Sequence, residues 1–323
     1  MTTFVPPSAP AAPTSARPGT PLRGCGTALV TPLTRDGAVD EAALRRLVAW
    51  QLAEGVHFVV PCGSTGEAAT LSPDEHRRVV EVTVNVVAGR VPVVAGAGSN
   101  DTARAIAFSR AMRDAGATHL LHVSPMYSKP PQRGIEAHFR AVADATDLPV
   151  VLYNVPGRTA SNVEAGTTLR LAEVPNIVAV KEASGNLAQV DAILRDRPAD
   201  FAVLSGEDAL TLSMFGLGAD GVISVVSNAT PRAMAQLCDM AAAGEADAAL
   251  DTHRRLAPWM EAAFVESNPI PAKAALAMLG LCEDVLRLPL VPLADAHRDR
   301  VRRALELAGA FEHAPAPHDV ATP

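Results

Sequence analysis

Eight short apolar runs, each followed by a stretch of helical periodicity, constrain this chain more than any other feature of its sequence. They lie at 26–32 (GTALVTP), 58–62 (FVVPC), 91–97 (VPVVAGA), 119–124 (HLLHVS), 149–156 (PVVLYNVP), 177–184 (IVAVKEAS), 201–207 (FAVLSGE) and 221–225 (GVISV). The runs are continuous in Val, Ile and Leu rather than alternating, as in parallel strands covered on both faces by helices. Polar residues or glycines close them at Ser64, Gly98, Ser124, Tyr153, Lys181 and Gly206, in steps of 25 to 34 residues, room for one strand and one helix. Eight such units predict a (β/α)8 TIM barrel ahead of an open, doubly wound sheet. Helix starts are signalled by Ser72-Pro73-Asp74-Glu75 and by Asn100-Asp101-Thr102.

After Pro231 only helical patterns remain, at 233–243, 246–264, 272–279 and 294–307, so a C-terminal helical extension is predicted. The expected division is a Pro/Ala-rich flexible tail over 1–23, the barrel over 24–244, a helical domain over 245–311 and a second tail over 312–323, the tail composition beginning near Ala308. A net charge of −7 without a basic block argues against nucleic acid as partner. No apolar run approaches the roughly 18 residues of a membrane span, and the N-terminus lacks the basic and apolar regions of a secretory signal. Cys25, Cys62, Cys238 and Cys282 are scattered, which fits buried thiols and a cytoplasmic setting better than disulfides or a metal site.

In a barrel, the chemistry sits at the C-terminal ends of strands. Lys181 directly follows Ile177-Val178-Ala179-Val180, where an amine is either used or paired, Glu182 being the obvious partner for pairing. Desolvation favours an uncharged lysine amine, which attacks ketones to give Schiff bases. Tyr153, one of only two tyrosines, closes the preceding run and is either a proton shuttle beside Lys181 or a core tyrosine with a satisfied hydroxyl. Gly63-Ser64-Thr65-Gly66-Glu67 offers hydroxyls and backbone N–H groups suited to a carboxylate, or is simply a flexible turn. Arg158 is either a bidentate carboxylate clamp or a surface arginine. Gly96-Ala97-Gly98 lacks the third glycine of a nucleotide loop and is taken as strand-end geometry.

From Gly24 to Ala308 the ordered blocks GSTGEAATLS, SPMYSKP, LYNVPGRT, VKEASGN, LSGED, GVISV, NPIPAK and LRLPLVPL resemble the dihydrodipicolinate synthase and N-acetylneuraminate lyase family. The resemblance implies a catalytic role for Lys181 as Schiff-base nucleophile and for Tyr153 as proton shuttle. It makes Ser64 the hydroxyl that joins Tyr153 to Tyr127 of a partner subunit, where most synthases of this type carry Thr. Thr65 is then the holder of the pyruvate carboxylate, and Gly206 and Ile223 line the pocket. Arg158 marks members that accept L-aspartate 4-semialdehyde, although the GST form at Gly63 to Thr65 is also common in sugar-acid lyases. The implied reaction condenses pyruvate with that aldehyde to 4-hydroxy-tetrahydrodipicolinate, in lysine and diaminopimelate biosynthesis, without metal or organic cofactor, in a homo-oligomer that is usually a tetramer of two tight dimers. A sugar-acid lyase and a non-catalytic ligand-binding barrel are the competing readings. Where lysine-inhibited members build an effector pocket, this chain has Pro73, His76, Asn100, Arg104 and Met126. A cation at Arg104 repels the effector's ammonium groups, so lysine inhibition is expected to be weak or absent.

Overall fold

The structure is a computed structural model and describes residues 22–314. Eight strands run parallel in the order β2-β1-β8-β7-β6-β5-β4-β3. They are β1 (Gly24–Ala28), β2 (Phe58–Val60), β3 (Val94–Gly96), β4 (His119–Val123), β5 (Val150–Asn154), β6 (Ile177–Glu182), β7 (Ala202–Ser205) and β8 (Gly221–Ser224). The two ends of this sheet meet where Val59 N donates to Pro92 O at 3.1 Å and Gly96 N to Pro61 O at 3.0 Å, so it curls into a barrel. All eight apolar runs thus form strands, but β1 begins two residues before its run and ends at Ala28. Leu29 to Pro32 lie beyond the strand, with Leu29 N still donating to Val60 O at 3.0 Å.

Residues alternate between two environments along each strand. Val60, Val94, Leu121, Val151, Tyr153, Ala179, Leu204 and Ile223 fill the interior. The other face packs on helices that include Pro73–Val87, Thr102–Asp114 and Gln132–Asp144. The first is opened by Ser72, whose hydroxyl accepts from Glu75 N while Glu75 reciprocates at Ser72 N, a capping box contributing about 1 kcal/mol. Asp101 rather than Asn100 caps the second, accepting from Ala103 N.

Among the described residues five α-helices follow β8, at Pro231–Ala243, Ala246–Ala262, Ile270–Met278, Asp295–Leu307 and Ala310–His313. Trp259, Leu276, Val301 and Leu305 from this part join Cys25, Val59 and Val222 of the barrel in one continuous core. Two stretches expected as tails prove partly built in. Leu22 is buried among the interior residues. At the other end Ala310 is buried and Trp50 Nε1 donates to His313 O at 3.1 Å, which ties down residues whose composition alone reads as tail. The remainder of the two expected tails, 1–21 and 315–323, lies outside the described residues. Cys25, Cys62 and Cys238 are buried free thiols, and Cys282 is half-buried. Among the described residues no helix is long and apolar enough to cross a membrane.

Candidate active site

Tyr153 and Lys181 are register partners on β5 and β6, so both side chains enter the barrel interior at the same height. The Lys181 ammonium nitrogen lies 4.2 Å from the centre of the Tyr153 ring, and Lys181 is only 5% exposed. Gly206, just beyond β7, makes room for it. A Cβ on Gly206 would stand 3.0 Å from Lys181 Cε and 2.5 Å from Ala183 Cβ. Ile223 and Leu204 pack in the same interior cluster.

The alternative partner for Lys181 is otherwise engaged. Glu182 points to the opposite face of β6, buried at 2% exposure. Its carboxylate accepts from Asn154 Nδ2, Gln189 Nε2 and the Ser184 backbone N–H, at 2.8 to 3.2 Å. Four hydrogen bonds satisfy this buried group, which has no ion pair among the described residues. Asp208, fully buried behind the site, accepts from the Val225 and Val226 N–H groups. Burial raises its pKa, opposed by a hydrogen bond with the Ser224 side chain, by those two N–H groups and by nearby Lys181.

The turn after β2 forms a second wall. Gly63, Ser64 and Tyr153 line one cleft of about 880 Å³ together with Gly98, Leu121 and Val123. No hydrogen bond among the described residues joins Ser64 to Tyr153. The turn is flanked by two non-glycine residues in the left-handed region, Cys62 at φ 57 and Glu67 at φ 54, a conformation that costs about 1–2 kcal/mol per residue. Three groups from the C-terminal segment hold it in place. Asn268 Nδ2 donates to Thr65 Oγ1 at 2.9 Å, Lys273 forms a buried ion pair with Glu67, and Arg287 N donates to Glu67 Oε2 at 3.2 Å. The Lys273 ammonium is pushed below its usual range by burial, an effect that Glu67 opposes. Arg158 lies on the short helix Pro156–Thr159 and donates to the backbone O of Asn268 at 3.3 Å, the residue whose side chain holds Thr65.

Tyr127 is not part of this constellation. It sits at φ 73 on the loop after β4, its backbone N–H bonded to Thr159 O, with its side chain 89% exposed. The cleft extends outward from Ser64 along Pro73, His76, Asn100, Arg104 and Met126, the positions matched to an effector pocket. His76 is committed inside the protein, with Nε2 on Gly96 O at 2.8 Å and its ring stacked on Phe108.

Sequence reasoning missed Asn154, Gln189, Asp208, Asn268, Lys273 and Arg287. Lys273 carried a signal, as the sole charge in the apolar helix IPAKAALAM, since a buried lysine demands a carboxylate. Its partner Glu67 is 206 residues away, and no local pattern names it.

A parallel eight-stranded barrel with a buried lysine over a tyrosine at its mouth defines a class, the lysine-dependent barrel lyases. Residues 21–308 match the model of the dihydrodipicolinate synthetase family, and the chain belongs to that family. It is 49% identical over 294 residues to 4-hydroxy-tetrahydrodipicolinate synthase of Koribacter versatilis, covering 91% of this chain and 98% of that protein. It is 51% identical over 277 residues to the protein of the same name from Pelobacter propionicus, covering 86% and 95% of the two chains. Among solved structures, the chloride-inhibited dihydrodipicolinate synthase of Acinetobacter baumannii in complex with pyruvate superposes with a TM-score of 0.88 at 42% identity, covering 89% of this chain and 99% of that one.

Proposed function

We propose that the chain condenses pyruvate with L-aspartate 4-semialdehyde to give 4-hydroxy-tetrahydrodipicolinate. The observation that carries this reading is the buried Lys181 amine, held over the Tyr153 ring, with no ion pair to a carboxylate among the described residues. The names of the relatives and the pyruvate-bound neighbour support it. In the reaction the Lys181 nitrogen adds to the ketone carbon of pyruvate, and loss of water leaves an imine. A proton leaves the methyl carbon to give an enamine, with the imine nitrogen taking the electron pair. That carbon attacks the aldehyde of the second substrate, whose oxygen takes a proton delivered through Tyr153. The amino group of the condensed chain then adds to the imine carbon and displaces Lys181, which closes the ring. Thr65 holds the pyruvate carboxylate, and Arg158 receives that of the aldehyde.

The exposed Tyr127 fits an oligomer in which it completes the site of a partner subunit, next to Ser64. A cytoplasmic setting fits both substrates and the free thiols. The sugar-acid reading is less well supported, because Arg158, bonded to Asn268 O at 3.3 Å, is the residue to which the resemblance gives the carboxylate of a short aldehyde substrate. Turnover is measured by coupling the product to its nicotinamide-dependent reductase. Native protein is expected to turn over, Lys181→Ala protein to be inactive, and added L-lysine to leave the rate nearly unchanged, since Arg104 faces the outer cleft. An inactive native protein that still traps pyruvate on borohydride treatment would move the substrate to a sugar acid, and strong inhibition by lysine would refute the effector reading.

A further inference from the structure

We infer that the buried Glu67–Lys273 ion pair is a positioning device for the carboxylate-binding turn, working with Asn268 to hold the Thr65 hydroxyl as a donor. The inference deepens the proposed function and rests on the assignment of Thr65 to the pyruvate carboxylate.

Glu67 ends the turn that begins after Cys62, and both residues hold a left-handed backbone that a side chain normally avoids. Such conformations persist where surrounding contacts over-determine them. Here the contacts to the turn's side chains come from one distant segment, and Thr31 Oγ1 adds a bond to Gly66 O at 2.7 Å. Lys273, with 0% exposure, grips Glu67, while Asn268, five residues earlier on that segment, grips Thr65 at 2.9 Å. The turn is therefore fixed at two points two residues apart, and Arg287 N adds a third contact at Glu67 Oε2.

Chemistry at Thr65 follows from the direction of its bond. Asn268 Nδ2 donates, so Thr65 Oγ1 is the acceptor, and its own hydrogen remains available for an anion in the pocket. A slack turn would let that hydrogen find a backbone carbonyl instead. An apolar pair of similar volume stabilises a fold about as well as a buried ion pair. What it lacks is direction, and direction is what this turn needs.

The test is the double variant Glu67→Gln/Lys273→Met, in which the Gln carbonyl keeps the Arg287 N–H bonded and Met fills the space of the lysine stem. Its thermal transition, kcat and KM for pyruvate are measured beside Thr65→Val. Positioning predicts a cooperative transition close to native and a KM for pyruvate raised about tenfold, with kcat little changed, the pattern of lost substrate binding. A folded double variant with native KM overturns the inference. Should the double variant lose its transition, Glu67→Gln alone decides by the same KM criterion, since the buried Lys273 can then shed its proton. Thr65→Val separates the two layers. A native KM there sinks the Thr65 assignment, whereas a raised KM there with a native KM in the folded double variant sinks only the positioning role.

Discussion

Single atoms decide whether Lys181 can work. The space it occupies exists because position 206 has no side chain, and the nearest approach of an added Cβ would be to Ala183 at 2.5 Å, with Lys181 Cε at 3.0 Å. Ala183 follows the strand end and cannot retreat without moving β6, so the lysine would be displaced instead. Gly206→Ala is expected to fold normally and to lose about 10²-fold in kcat, the scale on which small misplacements of reacting groups act. Steady-state kinetics with borohydride trapping of pyruvate checks this, and an unchanged kcat would show that the crowding is absorbed elsewhere. One residue further along β6, the strand period alone sends Glu182 out of the barrel. The same period makes Tyr153 and Lys181 neighbours, although they are separated by a whole helical crossover.

At the scale of elements, β4 serves two purposes. Its inner face gives Leu121 and Val123 to the cleft, while its outer face sets His122 against Ser109 of the helix Thr102–Asp114 and near His138 of the helix Gln132–Asp144. His122 is fully buried with Nε2 on Ser109 Oγ at 3.2 Å, and burial, helped by nearby His138, lowers its pKa to about 3. The unfolded chain binds this proton near pH 6.5, so the folded state loses stability only as pH falls below that value and on toward 3. The expected slope from this one group is about 1.4 kcal/mol per pH unit in that window, with none above it. Urea melts at pH 7.5, 6 and 5 should show a shallower acid decline for His122→Gln than for the native chain, and identical slopes would rule the histidine out. Elements of this kind were legible in the sequence because a buried parallel strand needs an unbroken apolar run, and all eight runs proved to be strands. Their polar ends announced Lys181, Tyr153 and Gly206 for the same reason. What stayed hidden was whatever depends on distant partners. Glu67 read as part of a turn, yet it is the anchor of the turn, and Leu22 read as tail because burial by the rest of the chain leaves no local mark.

As a whole molecule, the chain carries an aromatic side chain that its own fold does not use. Tyr127 is 89% exposed at the end of a loop braced on Thr159. If it completes the site of a neighbour across a two-fold axis, Tyr127→Ala and Lys181→Ala proteins are each nearly inactive, while their coexpressed mixture recovers about a quarter of native turnover, the statistical share for a symmetric dimer. No recovery in the mixture would place Tyr127 outside the chemistry. The barrel itself has a weakest joint. Seven of its strand contacts are ladders, but β2 and β3 meet through a single isolated bridge and two flanking hydrogen bonds. Gly96 lies in that joint, so tightly that a Cβ would stand 2.0 Å from Cys62 O, at the root of the turn that carries Ser64 and Thr65. On the proposed function, the cylinder is fastened along the same line at which it receives substrate, so that loosening of the joint would open the pocket. Occupancy of the pocket should act as a clasp, slowing exchange of the Val59 and Gly96 amide protons before those of any other strand.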